Sequence, residues 1–328
     1  MTEHAPDRPK VVAFGGGHGL FASLRALRRL DVDLTAVVTV ADDGGSSGRL
    51  RAEFDVLPPG DLRQALVALA GDDREEELRS ILFQHRFPGS GPLGGHAVGN
   101  LLLTGLVEVL GGPVAALDHA GKLLGACGRV LPMSTEPLEI EAEVRGLHPG
   151  RPDEVSVVRG QASVAKTPGH VLGVRLAPET PPACPEAVAA VEAADWLVFG
   201  PGSWFTSVLP HFLVPELRTA IAKTTARRIV ALNLSDEPGE TDGWSAEEHL
   251  TALTSHAPEF TVDAVLADPR VVRNHMRLRS AAESLGGRLV VAPVAVADGS
   301  PRHDPGALAA VLRSVLDRAG LGWDETAR

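Results

Sequence analysis

The sequence predicts an α/β protein with a three-layer, Rossmann-like core, a mainly parallel sheet and a small antiparallel β subdomain. Three stretches carry that prediction. Lys10–Phe14 is a short apolar run that stops at Gly15-Gly16-Gly17-His18-Gly19, after which Leu20, Leu24 and Leu27 recur at helical spacing: strand, glycine turn, helix. Leu34 to Val40 is a continuous rather than alternating run, which suits a parallel strand covered on both faces. From Leu138 to Arg145 apolar and charged residues alternate strictly, as in a strand with one wet face.

Taken in order, residues 1–9 read as a disordered lead and 10–320 as a single domain. Within it, 130–178 is expected as a β-rich insertion or flap, and 321–328 as a loose tail. Helices are expected over 61–70, 73–86 and about 101–110, and Pro113 can open another through Leu124. Leu172, Val174 and Leu176 repeat the alternation of the flap. Helix–strand alternation then resumes. Pro185–Ala194 is a helix, and Asp195–Phe199 is a strand ending at Gly200-Pro201-Gly202-Ser203, with a helix after it. Arg228–Leu234, Val262–Ala267 and Arg288–Val296 are further strands; helices run from about Ser245 to His256 and from Asp304 to Leu316.

Composition removes several classes of function. The 328-residue chain has a net charge of −11, no Lys/Arg run, few aromatics and no tyrosine, which argues against nucleic acid as a partner. Cys127 and Cys184 are far apart and in no C-x-x-C spacing, and His85, His119, His249 and His256 show no zinc pattern. Those histidines read as surface or core residues. MTEHAPDRPK has no apolar signal region and no apolar run approaches a membrane span, so a cytoplasmic protein without membrane insertion is expected.

The most informative stretch is Val37–Asp61, VVTVADDGGSSGRLRAEFDVLPPGD. An apolar strand ends in Asp42 and Asp43, at the edge where open α/β sheets bind ligands. Either aspartate could hold ribose hydroxyls, and both could help hold Mg²⁺ near phosphates. A Gly/Ser loop follows, with Arg49, Arg51 and Arg63 as candidate phosphate clamps. Asp61 reads as a helix N-cap. Gly44-Gly45-Ser46-Ser47-Gly48 also matches the G-x-S-x-G of hydrolases, but that motif needs a helix directly after it. RLRAEFDVLPPG lacks the apolar period of one, so the match is read as coincidence.

Other turns add candidates. The Gly15, Gly16, Gly17 and Gly19 turn would let backbone approach an anion at a helix N-terminus. His96 and Asn100, four residues apart, either face a ligand together or act as an exposed histidine and a helix cap. Gly202, Ser203, Thr206 and Ser207 form another hydroxyl- and amide-rich helix start, and Asn233 ends the next strand. The Gly239–Asp242 turn reads as capping for the helix after Trp244.

GGGHGL, VTVADDGGSSGRLR, PPGDLRQALVALA, LFQHRF, GHAVGNLLL, PEAVAAVEAAD, FGPGSWFTSVLP and NLSDEPGETDGWS resemble, in order, the YvcK-type gluconeogenesis factor family. That family is related to CofD, the 2-phospho-L-lactate transferase of deazaflavin cofactor synthesis. The resemblance implies a CofD-type Rossmann-like fold. It also implies a regulator that binds a nucleotide-sugar such as UDP-N-acetylglucosamine and serves cell shape and wall synthesis during gluconeogenic growth. The ligand-facing positions it implies are the Gly15–Gly19 turn, Asp42, Asp43, Ser46, Ser47, Arg49, Asp61, His96, Asn100, Gly202, Ser203, Ser207 and Asn233. His18 stands where Thr is frequent in the family, and Trp204-Phe205 where Leu-Tyr is common, so any tyrosine hydroxyl role is lost. The alternative is a CofD-like transferase that moves a phospho-acid from a nucleoside diphosphate carrier to an acceptor hydroxyl. In it Asp42, Asp43 or Asp61 would hold Mg²⁺, and Asp42, Asp61 and His96 would be its catalytic candidates. A dinucleotide is a lesser ligand reading, because the glycine spacing is not G-x-G-x-x-G. A homo-oligomer and an unidentified regulatory protein partner are also expected.

Overall fold

The computed structural model describes residues 8–148, 150–237 and 240–318. Most of the lead and all of the tail expected at the two ends lie outside these residues. Seven strands form one parallel sheet: β1 (Lys10–Gly15), β2 (Asp33–Val38), β3 (Arg129–Pro132), β7 (Trp196–Phe199), β8 (Arg227–Ala231), β9 (Ala264–Ala267) and β10 (Arg288–Val291). Their order is β10-β9-β8-β7-β1-β2-β3, and every pairing is parallel. The strand order reverses beside β1, whose neighbours are β2 and β7. Crevices at such a reversal are where open sheets bind ligands.

The continuous run expected at Leu34–Val40 is buried at every residue but Thr35. Val11 to Gly15, Trp196 to Phe199 and Ala264 to Ala267 are buried without a break, because helices cover the sheet on both sides. On one side α1 (Gly17–Leu27) packs on α3 (Pro59–Leu69) and α13 (Pro305–Arg318), and α5 (Val98–Leu110) packs on α3, α4 (Arg74–Gln84) and α6 (Pro113–Leu123). A second group joins α8 (Pro185–Glu192) to α10 (Pro215–Lys223), and α11 (Ala246–His256) to α12 (His275–Ser284). The aromatic centre of the core is Phe14 stacked on Phe199 at 4.6 Å, with Phe212 and Phe260 against Phe199.

The second sheet is antiparallel, in the order β5 (Val155–Arg159), β4 (Glu139–Arg145), β6 (His170–Ala177), with the single-turn α7 (Gln161–Val164) between β5 and β6. Its alternation is as expected, but its start is not. Arg129–Pro132, expected in this unit, is the parallel edge strand of the main sheet beside β2. Glu141 is nearly buried in the small sheet and is held between Arg159 at 2.8 Å and Arg175 at 2.6 Å.

Three further expectations are corrected. Gly45–Phe54 is a helix, α2, where a loop was expected. Asp61 is not an N-cap: Pro58 occupies that position, so Asp61 sits in the first turn of α3. The helix expected directly after Ser203 is a π-turn, Trp204–Val208, followed by the short α9 (Pro210–Leu213) and then α10.

Candidate functional site

The two glycine loops that follow β1 and β7 meet back to back. A β-carbon on Gly19 would fall 2.1 Å from the Pro201 carbonyl oxygen and 2.5 Å from Gly202 Cα, so no larger residue fits there. Gly16, extended at φ −156°, precedes α1 and offers no side-chain cap. With no cap from Gly16, the first turn of α1 turns the positive end of its helix dipole to the crevice, where the Gly17 amide meets the Asp61 carboxyl.

Gly16 is also the crowded centre of a polar cluster. A β-carbon on it would lie 2.5 Å from Asp61 Oδ2, 2.5 Å from Thr39 Oγ1 and 3.2 Å from Ser207 Oγ. Thr39 donates to Asp61 at 3.3 Å. Burial, together with the Asp42 carboxylate, pushes the Asp61 carboxyl up to about 7; the Thr39 hydroxyl, the Gly17 amide and Arg63 oppose the rise. Asp42 accepts the Gly44 amide at 2.9 Å through Oδ1, while its Oδ2 faces Gly60. The Gly60 amide donates to Ser47 Oγ at 3.0 Å.

A second part of the cluster links α2, α3 and α5. Ser46 Oγ lies 2.9 Å from His96 Nδ1 and accepts from Asn100 Nδ2 at 3.0 Å. Asn100 fills one lone pair of the serine oxygen, and the imidazole tautomer sets the direction of the Ser46–His96 bond. Arg63 Nε donates to Asn100 Oδ1 at 2.8 Å, while the buried Arg63 Nη1 has no partner. Burial and then Arg86 lower the Arg63 guanidinium to about 10. Burial lowers His96 too, followed by Arg49, while Glu53 opposes them. His96 and Asn100 thus turn inward together. The G-x-S-x-G stretch does open a helix, contrary to expectation, and its Ser46 does meet an imidazole. No carboxylate hydrogen-bonds His96 among the described residues, so the third member that orients a hydrolase base is missing.

The β7 side is organised by an amide. Asn233 Oδ1 accepts the Gly202 amide at 2.7 Å, and Asn233 Nδ2 donates to the Gly202 carbonyl at 2.9 Å. The Ser203 and Thr206 hydroxyls lie against each other and against the Glu240 carboxylate, so that turn residue serves this loop rather than the next helix. Burial, and then Glu240, raise Glu237 to about 7. Beside these residues is a cleft of about 440 Å³ whose lining includes His18, Gly19, Gly202, Asn233, Glu237 and His303. Its size suits a small-molecule ligand.

Three candidates are committed to structure. Asp43 accepts the Ala162 amide at 2.8 Å, pinning the β subdomain to the site. Arg49 donates to the Gly94 carbonyl at 2.8 Å and Arg51 to the Leu138 carbonyl at 2.7 Å. Sequence reasoning missed Thr39, Glu237 and His303. Thr39 carried a signal, as a hydroxyl inside the apolar VVTV run next to the acid pair. His303 carried none.

Residues 11–288 match the family model described as 2-phospho-L-lactate transferase CofD. The chain belongs to the CofD family. This CofD-family chain is 56% identical over 311 residues to a putative gluconeogenesis factor of Mycobacterium tuberculosis, covering 94% of this chain and 90% of that one. It is 37% identical over 278 residues to the gluconeogenesis factor of Bacillus subtilis, covering 85% and 84% of the two chains. A crystal structure of a UPF0052-family protein from Bacillus halodurans matches with a TM-score of 0.83 at 34% identity, over 94% of this chain and 100% of that one.

Among the described residues, no group of three or more His, Cys, Asp or Glu is placed to hold a metal ion. Asp42 and Asp61 remain a close carboxylate pair beside the uncapped helix start. That arrangement fits Mg²⁺ bound by two carboxylates and the phosphates of a ligand, not an all-protein cage. Among the described residues no helix is long and apolar enough to cross a membrane.

Proposed function

We propose that the protein binds a nucleotide-sugar of the UDP-N-acetylglucosamine type across the strand-order reversal, and acts as a non-catalytic regulator in gluconeogenic metabolism, supporting cell shape and wall synthesis. The observation that carries the reading is the Asp42–Asp61 pair beside the uncapped start of α1. Backbone amides there suit a diphosphate, and the carboxylates suit sugar hydroxyls or a phosphate-bound Mg²⁺. The adjacent cleft gives room for the remainder of the ligand. The gluconeogenesis factors among the relatives support the metabolic setting.

The family model supports a second reading, transfer of a phospho-acid. An acceptor hydroxyl oxygen would bond to phosphorus as the bond from phosphorus to the nucleoside monophosphate oxygen breaks. The imidazole of His96, kept neutral by burial, would take the hydroxyl proton. Asp42 and Asp61 would hold the Mg²⁺ that offsets phosphate charge.

Titration calorimetry with UDP-N-acetylglucosamine, with and without Mg²⁺, tests the first reading beside an Asp42→Ala variant. Saturable binding that the variant loses supports it. Absence of heat in the wild type overturns it. Turnover of a nucleoside diphosphate-linked phospho-acid with a deazaflavin acceptor would establish the transferase instead.

A further inference from the structure

The helix α5 reads VGNLLLTGLVEVL, with Glu108 as its one charge. A helix that is apolar on nearly every side is normally buried all round. Its inner face is buried, at Asn100, Leu103 and Thr104. Its outer face is not: Leu102, Val109 and Leu110 are exposed, Val109 to 80%. Half of the exposed large apolar side chains among the described residues lie on α5 and the two helices packed against it, α4 and α6. Exposure concentrated in this way marks a surface for another protein.

A glycine in the middle of that face indicates what covers it. Gly105 lies in the interior of α5, where glycine is a poor helix former. It is exposed, and a β-carbon on it would meet nothing within 4 Å among the described residues. No contact within the described chain calls for the missing side chain; a second helix passing close over it would. Leu102, Gly105, Leu106 and Val109 follow the i, i+3, i+4, i+7 spacing of one helix face, and they are placed symmetrically about the point between Gly105 and Leu106. With a second α5 running antiparallel across that point, Leu102 faces the partner's Val109, and Leu106 enters the gap over the partner's Gly105. Each contact then occurs twice, as a two-fold axis requires. That internal symmetry selects a second copy of this chain as the occupant.

A stable dimer takes roughly 800 Å² from each copy, more than the outer face of a helix about 20 Å long provides. The helix α4 extends the surface. It ends where α5 begins, with the Val98 amide donating to the His85 carbonyl at 2.9 Å. It also exposes Leu78, Ile81 and Leu82 at helical spacing, Leu78 to 66%. Antiparallel α5 helices set the start of each against the end of the other, so the α4 row of one copy comes beside the partner's Leu110.

We infer that α5 and α4 form the interface of a homodimer whose two-fold axis passes between Gly105 and Leu106 of two antiparallel α5 helices. Asn100 lies on the inner face of α5, so the interface backs the site without entering it. The inference does not depend on what the crevice binds.

Sedimentation equilibrium of the full chain tests it. The wild type should be a dimer. Val109→Glu should weaken that dimer by roughly a hundredfold or more, because it sets an unpaired carboxylate in an apolar contact. Leu102→Lys should do the same. The two changes combined in one chain should restore much of the affinity, since the new ammonium of each copy then meets the new carboxylate of the other. Gly105→Leu favours the helix and has free space around it in the monomer. It should keep the stability of the monomer in urea and still dissociate the dimer. Met276→Glu, at an exposed apolar position on α12, should leave the dimer intact. A wild type that is monomeric up to its solubility limit overturns the inference and gives the face to a different protein. It is also overturned if the dimer survives Val109→Glu or Gly105→Leu, if Met276→Glu breaks it, or if the combined variant recovers nothing over the single ones.

Discussion

Gly16 and Asp61 are in contact across the mouth of the crevice: a β-carbon on Gly16 would stand 2.5 Å from Asp61 Oδ2. The carboxylate occupies the space that a side chain would need. Since Gly16 has an extended backbone, at φ −156°, any residue could adopt its conformation. Only the space forbids one.

Gly16→Ala should therefore destabilise the protein by about 1–3 kcal/mol through overpacking, and should weaken nucleotide-sugar binding by displacing Asp61. Gly45 provides the contrast. It has φ +48° and nothing near its missing side chain. Gly45→Ala should cost about 1–2 kcal/mol from backbone strain alone, with the Gly16–Asp61 contact undisturbed. Urea unfolding of both variants, paired with binding titrations, checks the difference.

The raised Asp61 carboxyl makes stability depend on pH. In the unfolded chain it titrates near 3.8; in the folded chain, near 7. Between those values the folded state keeps a proton that the unfolded state has released. Stability should fall as pH rises from about 4 to about 7 and stay level above that, a loss on the order of a few kcal/mol. Asp61→Asn should remove that fall. Glu237 titrates in the same window, but it is present in both proteins and drops out of their difference. Unfolding midpoints of the two proteins near pH 5 and near pH 8 decide it. A variant that loses stability as steeply as the wild type would assign the proton elsewhere.

What could be read from the residues followed how each element is held. The first strand, turn and helix were legible because apolar spacing and glycines agreed. Gly45–Phe54 was not, because only Ser46, Ser47 and Leu50 of it are buried. That helix is held by polar contacts of Ser46, Ser47, Arg49 and Arg51 rather than by an apolar stripe. The same lack hid α12, which buries only Leu278 and Ala282. Glu240 was read as local capping because turn chemistry is visible in sequence, whereas its bond to Ser203 joins residues from different loops. The meeting of Asp61 with Gly16 and Thr39 is likewise tertiary, and no spacing rule announces it.

Asn100 bridges Arg63 and Ser46 inside the protein, with its oxygen at 2.8 Å from Arg63 Nε and its nitrogen at 3.0 Å from Ser46 Oγ. Asn100→Leu would leave a guanidinium 2% exposed with its Nε unpaired as well as its Nη1. The expected loss is about 3–5 kcal/mol, as for a buried charge deprived of its partner. Arg63→Met in the same background should restore part of it by removing the stranded charge. A double-mutant cycle in urea measures that coupling, and strict additivity would show that Asn100 does not support Arg63.

Asn233 closes a two-way amide pair with the backbone of Gly202, at 2.7 Å and 2.9 Å. The pair fixes the second glycine loop where it touches Gly19. Asn233→Asp keeps the acceptor for the Gly202 amide but replaces the donor with a carboxylate oxygen that faces the Gly202 carbonyl and Glu237. Asn233→Ser removes both contacts without adding charge. If the amide positions the loop, both changes should weaken nucleotide-sugar binding, and Asp more than Ser, because a second carboxylate is then set against the half-buried Glu237. If Asn233 instead reads the ligand directly while the loop stands unaided, exchange of the Gly202 amide hydrogen should be unchanged in Asn233→Ser. Hydrogen-exchange protection at Gly202, measured without ligand, separates the two, and the structure predicts that it is lost.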